Sequence, residues 1–371
     1  MLKFLYIPLW FGLLALPFMG WGGAGRLVFA LGMGGLVGWA FLRSLSFIRL
    51  QQAKEPVEEK GRGIMSALKS LNRIRLFWGG LFLLFLLPVF LNNYYLDILS
   101  LAWLYGILAV GLNITVGYTG LLDLGYAAFY GVGAYVYGLL STGVGLSFWL
   151  GLPVGGGIAA LFGLGLGMIT LRLRGDYLAI VTLGFVQIVY LIFNNWDSVT
   201  NGPNGILAIG RPQIGGFVFR APIHFYYLSL VFLIITATAA QRLIHSQIGR
   251  AWMAIREDSL AAETIGINTT RMKIFAFVLG SGIAGVAGVF FAGKYTFISP
   301  ESFTFLESVR ILSMVVLGGM GSLPGAILGA FLLTLLPELL RGLANYRMLI
   351  FGAALVVMML FRPQGLMGKK A

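Results

Sequence analysis

Apolar residues in this chain run in blocks of about twenty, each closed by a short polar or glycine-rich stretch. Neither the two-residue alternation of a half-buried strand nor the one-sided stripe of a soluble helix dominates. At 1.5 Å of rise per residue, roughly 20 apolar residues cross a bilayer core of about 30 Å. About a dozen runs qualify, so the pattern predicts an all-α, polytopic transmembrane bundle of about 10–12 spans, some short or broken. Six read clearly, at about 76–92, 97–116, 120–141, 146–171, 177–196 and 222–241. Beyond them 274–292 leads outward and 293–307 forms an outer or re-entrant segment. The stretch 308–340 is too long for one simple span and contains Gly321 and Pro324, so it reads as two short helices meeting at GGMGSLPG. A last run, 348–361, returns inward.

Composition agrees with this pattern, since 58% of the 371 residues are apolar, 11% are charged and 53 are glycine. No length is left over for a soluble domain. The net charge of +13 would suggest a nucleic-acid partner in a soluble protein. Here the bases collect in loops and fix orientation instead. Residues 43–75 carry eight Lys and Arg against three acids, and 242–273 carries Arg242, Arg250, Arg256, Arg271 and Lys273. Both loops are therefore expected in the cytoplasm, and six spans between them satisfy the required even number. This places Arg172 and Arg174 inside and 197–221 outside. The chain has no cysteine, and His224 and His245 stand apart, so no disulfide, thiol chemistry, bound cofactor or metal site is expected. The opening MLKFLYIPLWFGLLALPF reads as a retained helix, because GWGGAG lacks a small-residue cleavage site and a second apolar run follows at 27–42. The organisation is thus an N-terminal appendage with a basic loop at 1–75, a transmembrane core at 76–365 containing the loop 242–273, and a cytoplasmic tail at 366–371.

Several local patterns have physical readings. In RLRGDYLAIVTLGF, Arg172 and Arg174 suit the negative end of an arriving helix, Gly175 a left-handed turn, and Asp176 the cap of the departing helix. GSGIAG at 280–285 matches a dinucleotide fingerprint, yet it lies inside a span where that motif needs a strand and a soluble crevice. GVFFAGKY at 288–295 begins like a phosphate-binding loop but ends in Tyr295 where a hydroxyl must reach Mg²⁺. No catalytic residue is expected. Gly280, Ala284 and Gly288, like Gly321, Gly325 and Gly329, recur every four residues as small faces for helix packing. Among acids near apolar runs, Asp97, Asp176, Glu307 and Glu338 fall at span ends, where capping or an interfacial position suffices. Asp123, just after the break GYTGLLDLG, either lines an aqueous path or caps a discontinuous helix. The outer NNWDSVTNGPNGI packs turn residues together, a loop that also permits docking or entry.

Within the second basic loop, RAWMAIREDSLAAETIG can form one amphipathic helix with Trp252, Ile255, Leu260 and Ile265 as apolar anchors. Its Ala261, Ala262 and Gly266 resemble the EAA loop of ATP-binding cassette importer permeases, although Leu260 stands where that pattern has Glu. Five blocks carry a wider resemblance: GLNITVGYTGLLDLGYAAFYGVGAY (111–135), RLRGDYLAIVTLGF (172–185), NGPNGI (201–206), IREDSLAAETIGIN (255–268) and FISPESFTFLESVRILSMVVLGGMGSLPGAILGA (297–330). In this order they resemble the LivM-type permeases of branched-chain amino acid importers. The resemblance implies a multi-pass subunit of the bacterial inner membrane that carries leucine, isoleucine, valine or a related amino acid. Its partners would be a second related permease, two cytoplasmic ATPases that use Mg-ATP, and a periplasmic binding protein. Ala254, Arg256, Glu257, Asp258, Ala261, Ala262 and Gly266 would then touch the ATPase. Asp123, Tyr126, Thr182 and Gln187 are candidates for the translocation path. The chain departs from the family at Val186 and Gln187, which replace Gly and Glu, and in carrying Arg310 after FLES. A sibling urea or short-chain amide permease would carry a histidine-bearing LSLGHG-like block where this chain has LDLGYA. An ion-coupled carrier would work without ATPases, and a mere scaffold fits poorly with so many glycine-broken helices.

Overall fold

The computed structural model describes residues 84–88, 91–170, 176–339, 352, 356 and 365–368. The appendage 1–75, most of the span expected at 76–92, the turn 171–175 with its two arginines, and nearly all of the run 348–361 lie outside the described residues. Two compact units divide the chain: 1–96 with 335–356, and 97–334 with 357–371. In the first, the described residues include a helical stretch at 84–88. All packing described below belongs to the second.

The helices are α1 (Asn93–Leu112), α2 (Tyr126–Val144), α3 (Phe148–Thr170), α4 (Asp176–Asn195), the single turn α5 (Asp197–Thr200), α6 (Pro222–His245), α7 (Gln247–Glu257), α8 (Ser259–Thr264), α9 (Thr269–Tyr295), α10 (Phe305–Gly318) and α11 (Leu323–Leu339). A π-helical turn, Asn113–Tyr118, prolongs α1. Among the described residues five helices are long and apolar enough to cross a membrane: Asn93–Tyr118, Phe148–Thr170, Tyr177–Asn195, Pro222–His245 and Thr269–Tyr295. Of the expected spans, 97–116, 146–171, 177–196, 222–241 and 274–292 coincide with these to within a few residues. The exception is 120–141, where helix begins only at Tyr126 because GLLDLG is irregular. Both nucleotide-site look-alikes lie within α9.

Two short pairings, one of distant segments and one a hairpin, add strand to the all-helical expectation. β1 (Ile206–Leu207) pairs antiparallel with β4 (Phe297–Ile298), and β2 (Gln213–Ile214) with β3 (Phe217–Val218). The first follows the NGPNGI turns, where Asn201 and Gly205 take left-handed backbone and the Asn201 amide donates to Gly205 O at 2.9 Å. It ties the loop between α4 and α6 to the segment after α9. That segment was expected from 293; helix instead runs to Tyr295, then β4, then a 3₁₀ turn at Pro300–Phe303.

Helix α9 is the axis, with α2 and α3 packed on it and on each other. Small residues allow their backbones to meet. A Cβ added at Gly288 would sit 2.1 Å from Tyr130 O of α2, and one at Gly133 2.2 Å from Gly285 O. Gly280 approaches Thr115 and Gly111 of α1, and Ala284 between them is fully buried. A second small face, Ser281 and Gly285, takes Gly163, Gly155 and Ala159 of α3. Outward, α3 and α4 expose Leu161, Met168, Ile169, Ile180, Ile188 and Leu191, an apolar surface suited to lipid.

The two short helices expected in 308–340 are α10 and α11, joined at Gly319–Ser322 and folded back in backbone contact. Added Cβ atoms at Gly325 and Gly329 would lie 2.2 Å from Gly318 O and 1.9 Å from Met314 O. Gly321 does not belong to that stripe. It precedes α11 with φ of +79° and meets a different neighbour.

Overpacking should therefore be felt sharply on α9. Gly288→Leu is expected to destabilise the purified protein by at least about 3 kcal/mol, the upper range for inserted core volume. Gly157→Ala on α3, where nothing lies within 4 Å, should leave the melting temperature no lower and raise it slightly, since Ala favours helix over Gly. Thermal denaturation of both variants in detergent measures the contrast.

Candidate functional site

The loop between α6 and α9 folds as two helices set at a joint, where the amphipathic pattern predicts one continuous helix. The chain turns extended at Asp258 (φ −152°, ψ 115°), whose Oδ1 accepts from Leu260 N at 2.8 Å and Ala261 N at 3.1 Å. Asp258 thus caps α8 and separates it from α7. Two of the four anchors turn inward: Trp252 and Ile255 are buried, and the Trp252 indole donates to Met272 O at 2.8 Å. The other two, Leu260 and Ile265, are 57% and 72% exposed, with Met253 exposed beside them. Ala254 accepts from Asp258 N, Ala262 is buried, and Ala261 and Glu257 are exposed. Gly266 ends α8 with φ of +86°; its N–H donates to Glu263 O and that of Ile267 to Ala262 O, a left-handed glycine cap. Asn268 then caps α9 by accepting from Arg271 N at 3.0 Å.

Arg256, in the last turn of α7, reaches into the bundle. Its guanidinium donates to Gly117 O in the π-helical turn of α1. The same guanidinium nitrogen lies 2.6 Å from where a Cβ of Gly321 would stand, so only a glycine there leaves room for it. Gly321 N donates in turn to Asn113 Oδ1 at 2.9 Å, and Asn113 is fully buried. The glycine-rich breaks at 117–125 and 318–325 thus meet at one junction, held by a side chain from the loop between α6 and α9. The segment 365–367 joins the same end, with Leu366 N donating to Leu317 O and Met367 N to Gly318 O.

Three of the four path candidates lie together. Asp123 Oδ1 accepts from Gly125 N at 2.8 Å, and Leu124 N donates to Thr182 Oγ1 at 3.0 Å. Tyr126 donates to Gly280 O at 3.0 Å, and all three side chains are buried. One Asp123 oxygen therefore braces the entry to α2, while Oδ2 is buried with no hydrogen-bond partner among the described residues. Gln187 stands apart, exposed on α4.

Sequence reasoning missed two polar contacts. Near the end of α9, Lys294 pairs with Asp97 of α1 at 2.9 Å. Deeper, the Tyr105 hydroxyl donates to Glu307 and accepts from Arg310 at 2.9 Å. Glu307 does lie at a helix end, as expected, but that end is buried alongside the middle of α1 because α10 has only 14 residues. The charged residue Arg310, alone among apolar neighbours after FLES, was the available signal. Among the described residues no three His, Asp or Glu side chains gather as metal ligands would.

A multi-pass helical bundle whose interrupted spans are held by an amphipathic loop helix is a membrane transport subunit of the importer permease class. Residues 94–359 match the family described as branched-chain amino acid transport system / permease component. The chain belongs to that family. It is 42% identical over 303 residues to the high-affinity branched-chain amino acid transport system permease protein LivM of Salmonella typhimurium, and equally to that of Escherichia coli K12, covering 76% of this chain and 71% of each relative. It is also 27% identical over 290 residues to LivH of Escherichia coli K12, covering 71% of this chain and 91% of that relative. No solved structure matches it.

Removing the Arg256 guanidinium leaves Gly117 O without its donor, so Arg256→Ala should cost about 1–3 kcal/mol. Gly266→Val forces a β-branched residue into left-handed backbone at about 1–2 kcal/mol, and Gly266→Asn should recover part of that loss. Melting temperatures of the three variants decide; an Arg256→Ala protein as stable as wild type would show that the junction does not depend on this contact.

Proposed function

We propose that this chain is the permease subunit of a bacterial inner-membrane ATP-binding cassette importer that moves leucine, isoleucine, valine or a related amino acid into the cytoplasm. The observation that carries the reading is the reach of Arg256 from the loop helix to both broken elements. Helix α7 is anchored by Trp252 and Ile255, while α8 offers Leu260 and Ile265 outward. Of two cytoplasmic ATPases, one docks on that exposed face through Glu257, Asp258, Ala261 and Gly266, while half-buried Ala254, buried Ala262 and Arg256 seat the loop on the bundle. The ATPases hydrolyse Mg-ATP, and this chain binds no cofactor. Their closure displaces α8; the joint at Asp258 passes the motion to α7, and Arg256 draws the junction of α1 with the α10–α11 hairpin. Asp123, Tyr126 and Thr182 brace the inner entry of α2 along the path, and Gln187 faces its surroundings from α4.

A second, related permease completes the pathway, a reading supported by similarity to both LivM and LivH proteins. A periplasmic binding protein delivers the amino acid at the outer face, where β1 and β4 join the outer loop to the bundle. The C-terminus lies in the cytoplasm: residues 365–367 hydrogen-bond at the end that carries the basic loop 242–273.

Reconstitution with the cognate permease, ATPases and binding protein in liposomes should give ATP-dependent leucine uptake; none at all would sink the reading. In the same preparation Arg256→Glu or Glu257→Arg should lower leucine carried per ATP hydrolysed at least fivefold while the chain still inserts. Normal stoichiometry in both variants would place the coupling contact elsewhere.

A further inference from the structure

Depth in the bundle can be counted along α1. Asp97 is held by Lys294 at the outer end and Gly117 by Arg256 at the inner end, 20 residues or about 30 Å apart. Tyr105 lies eight residues inward of Asp97, about 12 Å down. Tyr105 therefore lies within the span, away from both ends, and its hydroxyl brings Glu307 and Arg310 of α10 inside the span as well. The adjacent Ser308 accepts from Ala127 N at 2.9 Å, which seats this turn of α10 against α2.

A carboxylate and a guanidinium at this depth cannot be left to lipid. Such groups face a water-filled path or another protein surface. Yet the Arg310 side chain is 35% exposed and that of Glu307 17%. Their direct approach is 3.8 Å, too long for a hydrogen bond, and the Tyr105 hydroxyl bridges them instead. Arg310 also stacks over the Tyr105 ring at 4.6 Å, which fixes the guanidinium while leaving donors free. One turn of helix thus presents a carboxylate with a narrow opening and one oxygen not held by Tyr105, a guanidinium about one third exposed and, beside them, the 74% exposed apolar Leu306.

We propose that Glu307 and Arg310, bridged by Tyr105, form a contact point for a zwitterionic amino acid in transit. Glu307 receives the ammonium, Arg310 the carboxylate, and Leu306 lies against the apolar side chain. Tyr105 is a positioning residue that holds the two charges apart at the spacing an α-amino acid can bridge. This inference rests on the importer reading above.

The test uses the full reconstituted complex with leucine-loaded binding protein, and reads leucine carried per ATP hydrolysed. Glu307→Gln and Arg310→Gln should each lower that ratio tenfold or more, with Arg310→Lys recovering part of it and Tyr105→Phe causing a smaller, several-fold loss. A merely structural ion pair would behave differently: uptake and hydrolysis would fall together, leaving the ratio intact. The double variant Glu307→Arg with Arg310→Glu keeps a pair but reverses its order. Recovery to more than half the wild-type ratio in that variant would overturn the proposal, as would wild-type ratios in both single variants. Loss of the second permease from either single variant during purification would instead make the pair a subunit contact and also overturn it. A wild-type complex that carries no branched-chain amino acid at all would overturn the importer reading, and this inference with it.

Discussion

Backbone groups released by a broken helix inside a membrane have no solvent to turn to, and this structure depends on how two such breaks satisfy each other. The π-helical turn at Asn113–Tyr118 frees Gly117 O, and the bend at Gly319–Ser322 frees Gly321 N. Asn113 closes one and Arg256 the other. Because Arg256 belongs to the loop helix, the irregular backbone on which the transport reading rests is completed from outside the bundle.

The remainder of the bundle is built so that these breaks can be tolerated. Gly133, Gly285 and Gly288 bring α2 and α9 into backbone contact, and Gly155 and Gly163 do the same for α3. Association without a hydrophobic driving force needs such close packing. The three helices form a firm body, and against it α10 and α11 stand as a hairpin whose contact also runs through glycine. Rigid and interrupted parts are thus made from the same residue type, distinguished by whether glycine lies within a helix or at positive φ between two.

How far the fold was legible follows from range. Spans and the pair of short helices could be read because apolar run length and the Gly–Pro signal at 321–324 are local. The meeting of the two glycine-rich breaks could not, since Arg256 and Gly117 are 139 residues apart in sequence. Periodicity carried through Asp258 although the chain bends there, because an N-cap aspartate on the polar face leaves the amphipathic pattern intact. Gly321 fits the four-residue spacing of Gly325 and Gly329 by number alone; its positive φ, invisible in sequence, removes it from the stripe. Glu307 was placed at a helix end correctly and at the wrong depth, since depth follows from where α10 begins and not from its composition. Of the path candidates, Thr182 reaches across 58 residues to the backbone of Leu124, next to Asp123, while Gln187 carries no such contact.

The Arg256 contact has a further consequence for water. Were α7 to withdraw, the buried Gly117 carbonyl would lose its donor beside half-exposed Gly321, and a bare carbonyl is costly unless water replaces the guanidinium. Solvent must enter as the arginine leaves. Displacement of the loop helix and hydration of this junction would then be one event, so the side chain that ties the loop to the bundle also keeps water from one backbone carbonyl.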